Sequence, residues 1–164
     1  VIFVTVGMNE APFDRILEVL DGLDLDEELV VQHGASAVRP AGATCLGFLD
    51  FDEVVDLVRR SRVVVCHAGV GSIMVALTNG RRPIVVPRLA ERGEAVDDHQ
   101  LALARRLDEA GLVTLVERPE DLPAALTAAE GGPAASLRAG TRLADALAGE
   151  IAAVAGPVPR AAAA

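Results

Sequence analysis

Arg62-Val63-Val64-Val65-Cys66-His67-Ala68-Gly69-Val70-Gly71-Ser72-Ile73-Met74-Val75-Ala76-Leu77-Thr78 is the stretch on which the fold turns. From Arg62 to Cys66 it is an apolar, β-branched run without alternation, the pattern of a strand buried on both faces of a parallel sheet. From about Gly71 to Thr78 it reads as a helix, and two glycines lie in the turn between. A strand, a glycine turn and a helix in that order make half a βαβ unit. Such units join parallel strands by right-handed crossovers.

The alternation continues on both sides. Upstream, Ile2 to Val6 reads as a strand followed by the loop Gly7-Met8-Asn9-Glu10, and Pro12 suits the first turn of a helix. Leu29 to Gln32 reads as a second strand and Thr44 to Phe48 as a short third, with Asp52 placed to cap a helix reaching Arg60. Downstream, Ile84 to Val86 is a fifth strand, His99 to Ala110 a helix stopped by Gly111, and Val113 to Val116 a sixth strand. Pro119 opens another helix. A last helix, about Ala134 to Val154, carries Leu137, Leu143, Leu147, Ile151 and Val154 on one stripe. The expected fold is α/β: a doubly wound, mostly parallel sheet of about six strands with helices on both faces. One Rossmann-like domain spans 1–155, and a Pro/Ala-rich tail over 156–164 is expected to be disordered.

Composition agrees with one domain. The chain has 164 residues, 51% hydrophobic and 2% aromatic, so its core is built from Val, Leu, Ile and Ala. A net charge of −9 argues against nucleic acid and against direct docking on an anionic membrane, both of which are bound by clustered cations. All basic residues are Arg, which together with the Ala content fits a GC-rich codon bias. Cys45 and Cys66 stand alone in apolar stretches and read as reduced core thiols. No leader pattern opens the chain and no apolar run approaches the ~20 residues of a membrane span. A cytoplasmic protein is expected.

In doubly wound sheets ligands sit at the carboxyl ends of the strands, which directs attention to four loops. In His67-Ala68-Gly69-Val70-Gly71-Ser72, glycines let backbone N–H groups approach a ligand, and the following helix presents unpaired N–H groups to a diphosphate. Ser72 adds a hydroxyl and His67 a ring N–H. The competing reading is a tight turn with a packed histidine. The stretch is neither GxGxxG nor a P-loop with its lysine, so NAD and ATP are disfavoured. Asp97-Asp98-His99-Gln100 opens a helix, and its carboxylate and amide suit sugar hydroxyls, with plain helix capping as the alternative. Gly7-Met8-Asn9-Glu10 and Gln32-His33-Gly34 border the same cleft or are only turns. Arg88 either faces a phosphate or acidic sugar or pairs with Glu91 or Glu94. Three histidines without clustered Cys or carboxylates do not suggest zinc, and no Gly-x-Ser-x-Gly elbow is present.

Taken together, Ile2-Phe3-Val4-Thr5-Val6-Gly7, Val31-Gln32-His33-Gly34, His67 to Ser72, Gly80, Pro83 to Pro87 and Asp98-His99-Gln100 resemble the C-terminal domain of glycosyltransferase family 28 over about residues 1–127. The likeness is nearest to the short single-domain subunits of bacterial exopolysaccharide synthesis. These are similar to the catalytic subunit of the two-part enzyme that adds the second N-acetylglucosamine to dolichol-linked glycans. The resemblance implies one half of a GT-B fold that binds a UDP-sugar as substrate, with no cofactor or metal. It places the diphosphate on His67, Ala68, Gly69, Val70, Gly71 and Ser72, and the sugar on Asp98, His99 and Gln100. Gly7, Met8 and Asn9 would face the acceptor, with Gln32, His33, Gly34 and Arg88 also lining the cleft.

A hexosyl group would pass, with inversion, to a lipid-linked or polysaccharide-precursor acceptor. A membrane-associated subunit would hold that acceptor and recruit the chain to the inner face of the membrane, largely through the last helix. Glu10 and His67 are weak candidates for the base, which is better placed on the partner. Val75 stands where relatives often carry a ribose-binding Glu, and Met8 where they carry Thr. Both departures favour the rival reading of a non-catalytic nucleotide-sugar-binding module. A sugar 2-epimerase would need two such domains and more acidic residues. A ligand-free homodimer would show a buried His67 and a closed cleft.

Overall fold

The computed structural model describes residues 1–129. The helix expected at 134–154, the end of the domain at 155 and the tail over 156–164 lie outside the described residues. Six strands and five α-helices alternate: β1 (Ile2–Thr5), α1 (Asp14–Leu20), β2 (Leu29–Gln32), β3 (Thr44–Leu46), α2 (Phe51–Arg60), β4 (Val63–His67), α3 (Val70–Thr78), β5 (Ile84–Val86), α4 (His99–Glu109), β6 (Thr114–Leu115) and α5 (Leu122–Ala128). The sheet runs β3-β2-β1-β4-β5-β6, and every pairing is parallel. The order reverses between β1 and β4, the place where a doubly wound sheet opens a crevice.

Both faces of the sheet are covered, as its unalternating strands require. Ile2, Val4, Leu29, Val31, Val63, Val65, Ile84 and Val86 meet Ile16, Leu17 and Leu20 of α1 and Leu122 and Leu126 of α5. Phe3, Val30 and Val64 point the other way, onto Leu57 and Val58 of α2 and Ala76 of α3. On that second face Cys66 and Val85 meet Ile73 and Leu77 of α3 and Leu103, Ala104 and Leu107 of α4.

Several boundaries move. β1 ends at Thr5 and β3 at Leu46, short of Val6 and Phe48, and β6 contracts to two residues. β4 shifts forward by one, so that His67 is its last residue and pairs in register with Val86. Pro12 precedes α1, which opens at Asp14 after Phe13. The cap of α2 is Asp50, not Asp52. The Asp50 carboxylate accepts from Glu53 N at 2.9 Å while the Glu53 carboxylate accepts from Asp50 N at 2.9 Å. That reciprocal pair needs an acidic or amide residue three positions on. Glu53 supplies it for Asp50, whereas Val55 cannot for Asp52. Cys45 and Cys66 are free thiols, on β3 and β4 with two strands between them. At about 4.8 Å per strand they are far beyond disulfide reach. Burial pushes the Cys66 thiol up to about 12.

Candidate functional site

At the reversal point the parallel register sets Thr5 beside Gln32 on one side and beside Cys66 on the other. Thr5 and Gln32 are both buried, so their polar atoms need partners. The Thr5 hydroxyl donates to Gln32 Oε1 at 2.6 Å. Gly7 N donates to the same Oε1 at 3.2 Å, and Gln32 Nε2 donates back to Gly7 O at 3.1 Å. Gln32, expected as a cleft-lining residue or part of a turn, bonds through its amide to the backbone of Gly7.

Gly7 adopts φ +80, a conformation that disfavours any side chain. A Cβ there would collide with the imidazole of His67 at Cε1, and a Cβ on Gly69 would collide with the same ring at Nε2. His67 is thus clasped between the first and fourth loops. Its Nδ1 is fully enclosed and has no partner among the described residues. Burial, and secondly the positive charge of Arg88, lower its pKa to about 4. The ring is neutral at neutral pH. Gly34, at φ +52, closes the stack: a Cβ on it would lie 2.9 Å from Gly7 O. His33 Nδ1 contacts Gly34 O at 2.9 Å, and Asn9 Oδ1 accepts from Ala11 N at 2.8 Å. These two residues serve as turn residues in this structure.

Two helix starts face this stack and differ in kind. The capping box of α2 satisfies its own N-terminus. The cap of α3 is Gly69, with no side-chain bond and no acidic residue in the first turn. Its first intrahelical bond runs from Ile73 N to Gly69 O. The N–H groups of Val70, Gly71 and Ser72 are left without intrahelical partners. Such a terminus, lacking a carboxylate of its own, is suited to an anion.

A cavity of about 360 Å³ opens there. Gly71, Ser72 and Val75 of α3 form one wall, Gly7 and Met8 the rim, and Thr5, Gln32 and His67 the floor. The opposite wall comes from Leu49, Asp50, Phe51 and Val54 at the start of α2. Met8 is 76% exposed and Phe51 67% exposed, so the mouth is flanked by apolar side chains. Thr5 and the α2 wall were absent from the expected site. The Asp-x-x-Glu box was visible in the sequence and could have placed the start of α2, but not its position opposite α3. A second, larger and more open hollow of about 690 Å³ borders Leu46, Glu53, Arg59 and Arg60. It includes no residue of the glycine turn and holds no chemistry of comparable kind.

The β5 side is built differently. Arg88, expected in the cleft or in an ion pair, is wholly buried. Its guanidinium donates to the carbonyls of Val6 at 2.9 Å, Ala11 at 2.9 Å, Pro12 at 3.3 Å and Glu94 at 3.1 Å. It also lies over the Phe13 ring, 4.6 Å from the centroid. The Glu94 carboxylate goes to Arg15 instead, at 2.6 Å. Arg88 is a bolt between the first and fifth loops: its two terminal nitrogens are spent on carbonyls, and its Nε is buried without a partner among the described residues.

Asp98 accepts from Ala90 N at 2.9 Å. His99 pairs with Asp97, Nδ1 to Oδ1 2.6 Å. Gln100 Oε1 accepts from Arg88 N at 3.2 Å, which leaves its Nε2 without a partner among the described residues. None of Asp98, His99 and Gln100 lines the cavity beside Ser72. They stand at the start of α4, across the β4 turn from it. Glu10 is exposed on the first loop. No group of three His, Cys, Asp or Glu side chains converges among the described residues. No helix among them is long and apolar enough to cross a membrane.

The chain is 34% identical over 61 residues to the UDP-N-acetylglucosamine transferase subunit ALG13 of Yarrowia lipolytica, a stretch that is 37% of this chain and 29% of that protein. In structure it is similar to the glycosyltransferase SnogD from Streptomyces nogalater (TM-score 0.58, 20% identity, 94% of this chain and 43% of that one). It is also similar to CalG4, the calicheamicin glycosyltransferase (0.56, 18%, 94% and 44%), and to MurG of Acinetobacter baumannii (0.53, 21%, 76% and 40%). It spans less than half the length of each of these proteins. The fold is one Rossmann-like half of a GT-B architecture. The sequence profile of the glycosyltransferase family 28 C-terminal domain matches residues 1–147, and the chain belongs to that family.

Proposed function

We propose that this domain binds a UDP-sugar and presents its sugar for transfer to an acceptor hydroxyl. The uncapped start of α3, facing a cavity beside a neutral histidine, is the observation that carries this reading. The diphosphate would rest on the N–H groups of Val70, Gly71 and Ser72 and on the Ser72 hydroxyl, which has no partner among the described residues. The nucleoside would extend into the cavity between Val75 and Phe51, where apolar walls suit a base. The sugar would lie on the other side of the β4 turn, within reach of Gln100 Nε2 and the Asp98 and His99 backbone.

In the transfer, the acceptor oxygen bonds to the anomeric carbon as the bond from that carbon to the diphosphate oxygen breaks. The departing electron pair stays on UDP, where the α3 terminus stabilises it without a metal. A proton must leave the acceptor. His67, clasped and with a pKa of about 4, is a poor base near pH 7. Glu10 is exposed on the acceptor-facing loop. The base is best supplied by a second, membrane-associated subunit that completes the cleft and holds a lipid-linked or polysaccharide-precursor acceptor. On this reading the chain works in the cytoplasm, at the inner face of the membrane.

Val75 and Met8, both apolar and both on the cavity, favour a second reading, a nucleotide-sugar-binding module without turnover. Calorimetric titration with UDP, UDP-N-acetylglucosamine, UDP-glucose, UDP-glucuronic acid, ADP-glucose and dTDP-glucose tests the donor site. Selective uridine binding, about tenfold weaker in Ser72→Ala, supports it. Absence of binding by all six, in the chain alone and with its partner, overturns it. Turnover by the reconstituted pair rejects the second reading.

A further inference from the structure

We infer that Gln32 is a positioning residue of the donor site: its amide holds Gly7 against His67 and so fixes the ring beside the diphosphate turn. This rests on the donor-binding reading above. Gln32 sits at the end of β2, two strands from β4, and no part of the ligand need touch it. Its amide grips one residue at both its backbone groups, accepting from Gly7 N at 3.2 Å and donating to Gly7 O at 3.1 Å. The backbone pairing runs one residue past β1, with Val6 N donating to Gln32 O at 3.1 Å, and the side-chain amide carries the link on to Gly7. Gly7 N can only donate and Gly7 O only accept, which settles which end of the amide faces which; the Thr5 hydroxyl then donates to Oε1 at 2.6 Å.

The grip matters because Gly7 is held where the imidazole leaves no space for a Cβ. The backbone of Gly7 forms one jaw on His67 and Gly69 forms the other. Gly69 also caps α3, whose free N–H groups face the cavity. Releasing Gly7 opens one jaw, admits water to the ring and lets the turn that cradles the anion drift. Apolar packing cannot substitute, because Gly7 O would then lose its donor, while Gly7 N would keep only the Thr5 hydroxyl, at 3.2 Å.

The test compares wild type with Gln32→Met, which keeps length and apolar bulk, and Gln32→Glu. UDP affinity is measured by calorimetry, His67 titration by imidazole NMR, and folding by thermal melting. In Gln32→Met, UDP should bind about tenfold more weakly. The His67 midpoint should rise from about 4 toward the ordinary value of about 6.5. Gln32→Glu regains a donor toward Gly7 O only when its carboxyl is protonated. Its affinity relative to wild type at the same pH should therefore recover as pH falls from about 8 to about 5.

A Gln32→Met protein with a lower melting temperature but unchanged UDP affinity and His67 midpoint shows a merely structural glutamine and overturns the inference. If wild type binds no UDP, the donor reading itself fails, and the inference with it. A wild type that binds UDP beside unaffected variants overturns the inference alone.

Discussion

The imidazole of His67 occupies the space in which a side chain on Gly69 would begin. Gly69 has an ordinary φ of −75, so any residue suits its backbone and only the ring forbids one. Gly69→Ala should therefore cost about 1–3 kcal/mol by displacing His67. In the double variant with His67→Ala that cost should largely vanish. A double-mutant cycle read by urea denaturation checks this, and an additive result would place the strain elsewhere.

The acid side of the stability curve should carry the mark of His67. Its folded pKa of about 4 lies below its ordinary value of 6.5, so between those values the unfolded chain binds more protons than the folded one. Stability from this group is complete above about pH 6.5 and is lost as pH falls toward about 4, by at most about 3 kcal/mol. His67→Gln, which cannot titrate, should flatten that window. Denaturation midpoints at intervals from about pH 7 to about pH 4 measure it.

Removing the Arg88 bolt should be more damaging than its charge alone suggests. Arg88→Leu leaves the carbonyls of Val6, Ala11, Pro12 and Glu94 without this donor. A loss on the order of 3–5 kcal/mol is expected, with loosening of both loops. Arg88→Lys, with one ammonium for a planar fork, should recover only part of it. Urea denaturation gives the size, and amide hydrogen exchange over residues 7–13 and 88–94 shows whether both loops open together.

The two acids at the start of α2 should separate cleanly. Asp50→Ala removes a cap worth about 1 kcal/mol, whereas Asp52→Ala should stay within about 0.5 kcal/mol. Thermal melting of the two variants decides between them, and equal losses would deny the capping box its weight.

The strand–helix alternation was legible because buried parallel strands leave unbroken apolar runs such as Val63 to Cys66. The glycine turn was legible because Gly69 and Gly71 follow directly on a buried apolar run and precede a helical pattern, although Gly71 falls inside α3 and only Gly69 before it. Strand order was not, since alternation alone does not say that β1 lies between β2 and β4. That order is what brings Phe51 opposite Val75, and so the α2 wall escaped notice. Arg88 reads from its type and place as a ligand contact in the cleft or a partner for Glu91 or Glu94. Its burial follows from where the carbonyls of a distant loop fall, which local sequence does not encode. Gln32 was found as a residue but not as a role, for the same reason: its partner lies 25 positions away.

The all-parallel ladder also sets how the chain must be born. Ile2 finds one neighbour at Leu29 and the other only at Val63, and no tight hairpin can join any adjacent pair. Long loops must close before the central strand is satisfied on both edges, a topology that folds slowly. During synthesis, the strand that anchors Gly7 keeps an open edge until β4 clears the ribosome. The half-made sheet is then a template for wrong pairing, and a chaperone holding the stretch from β1 to α2 would protect the step on which the whole site depends.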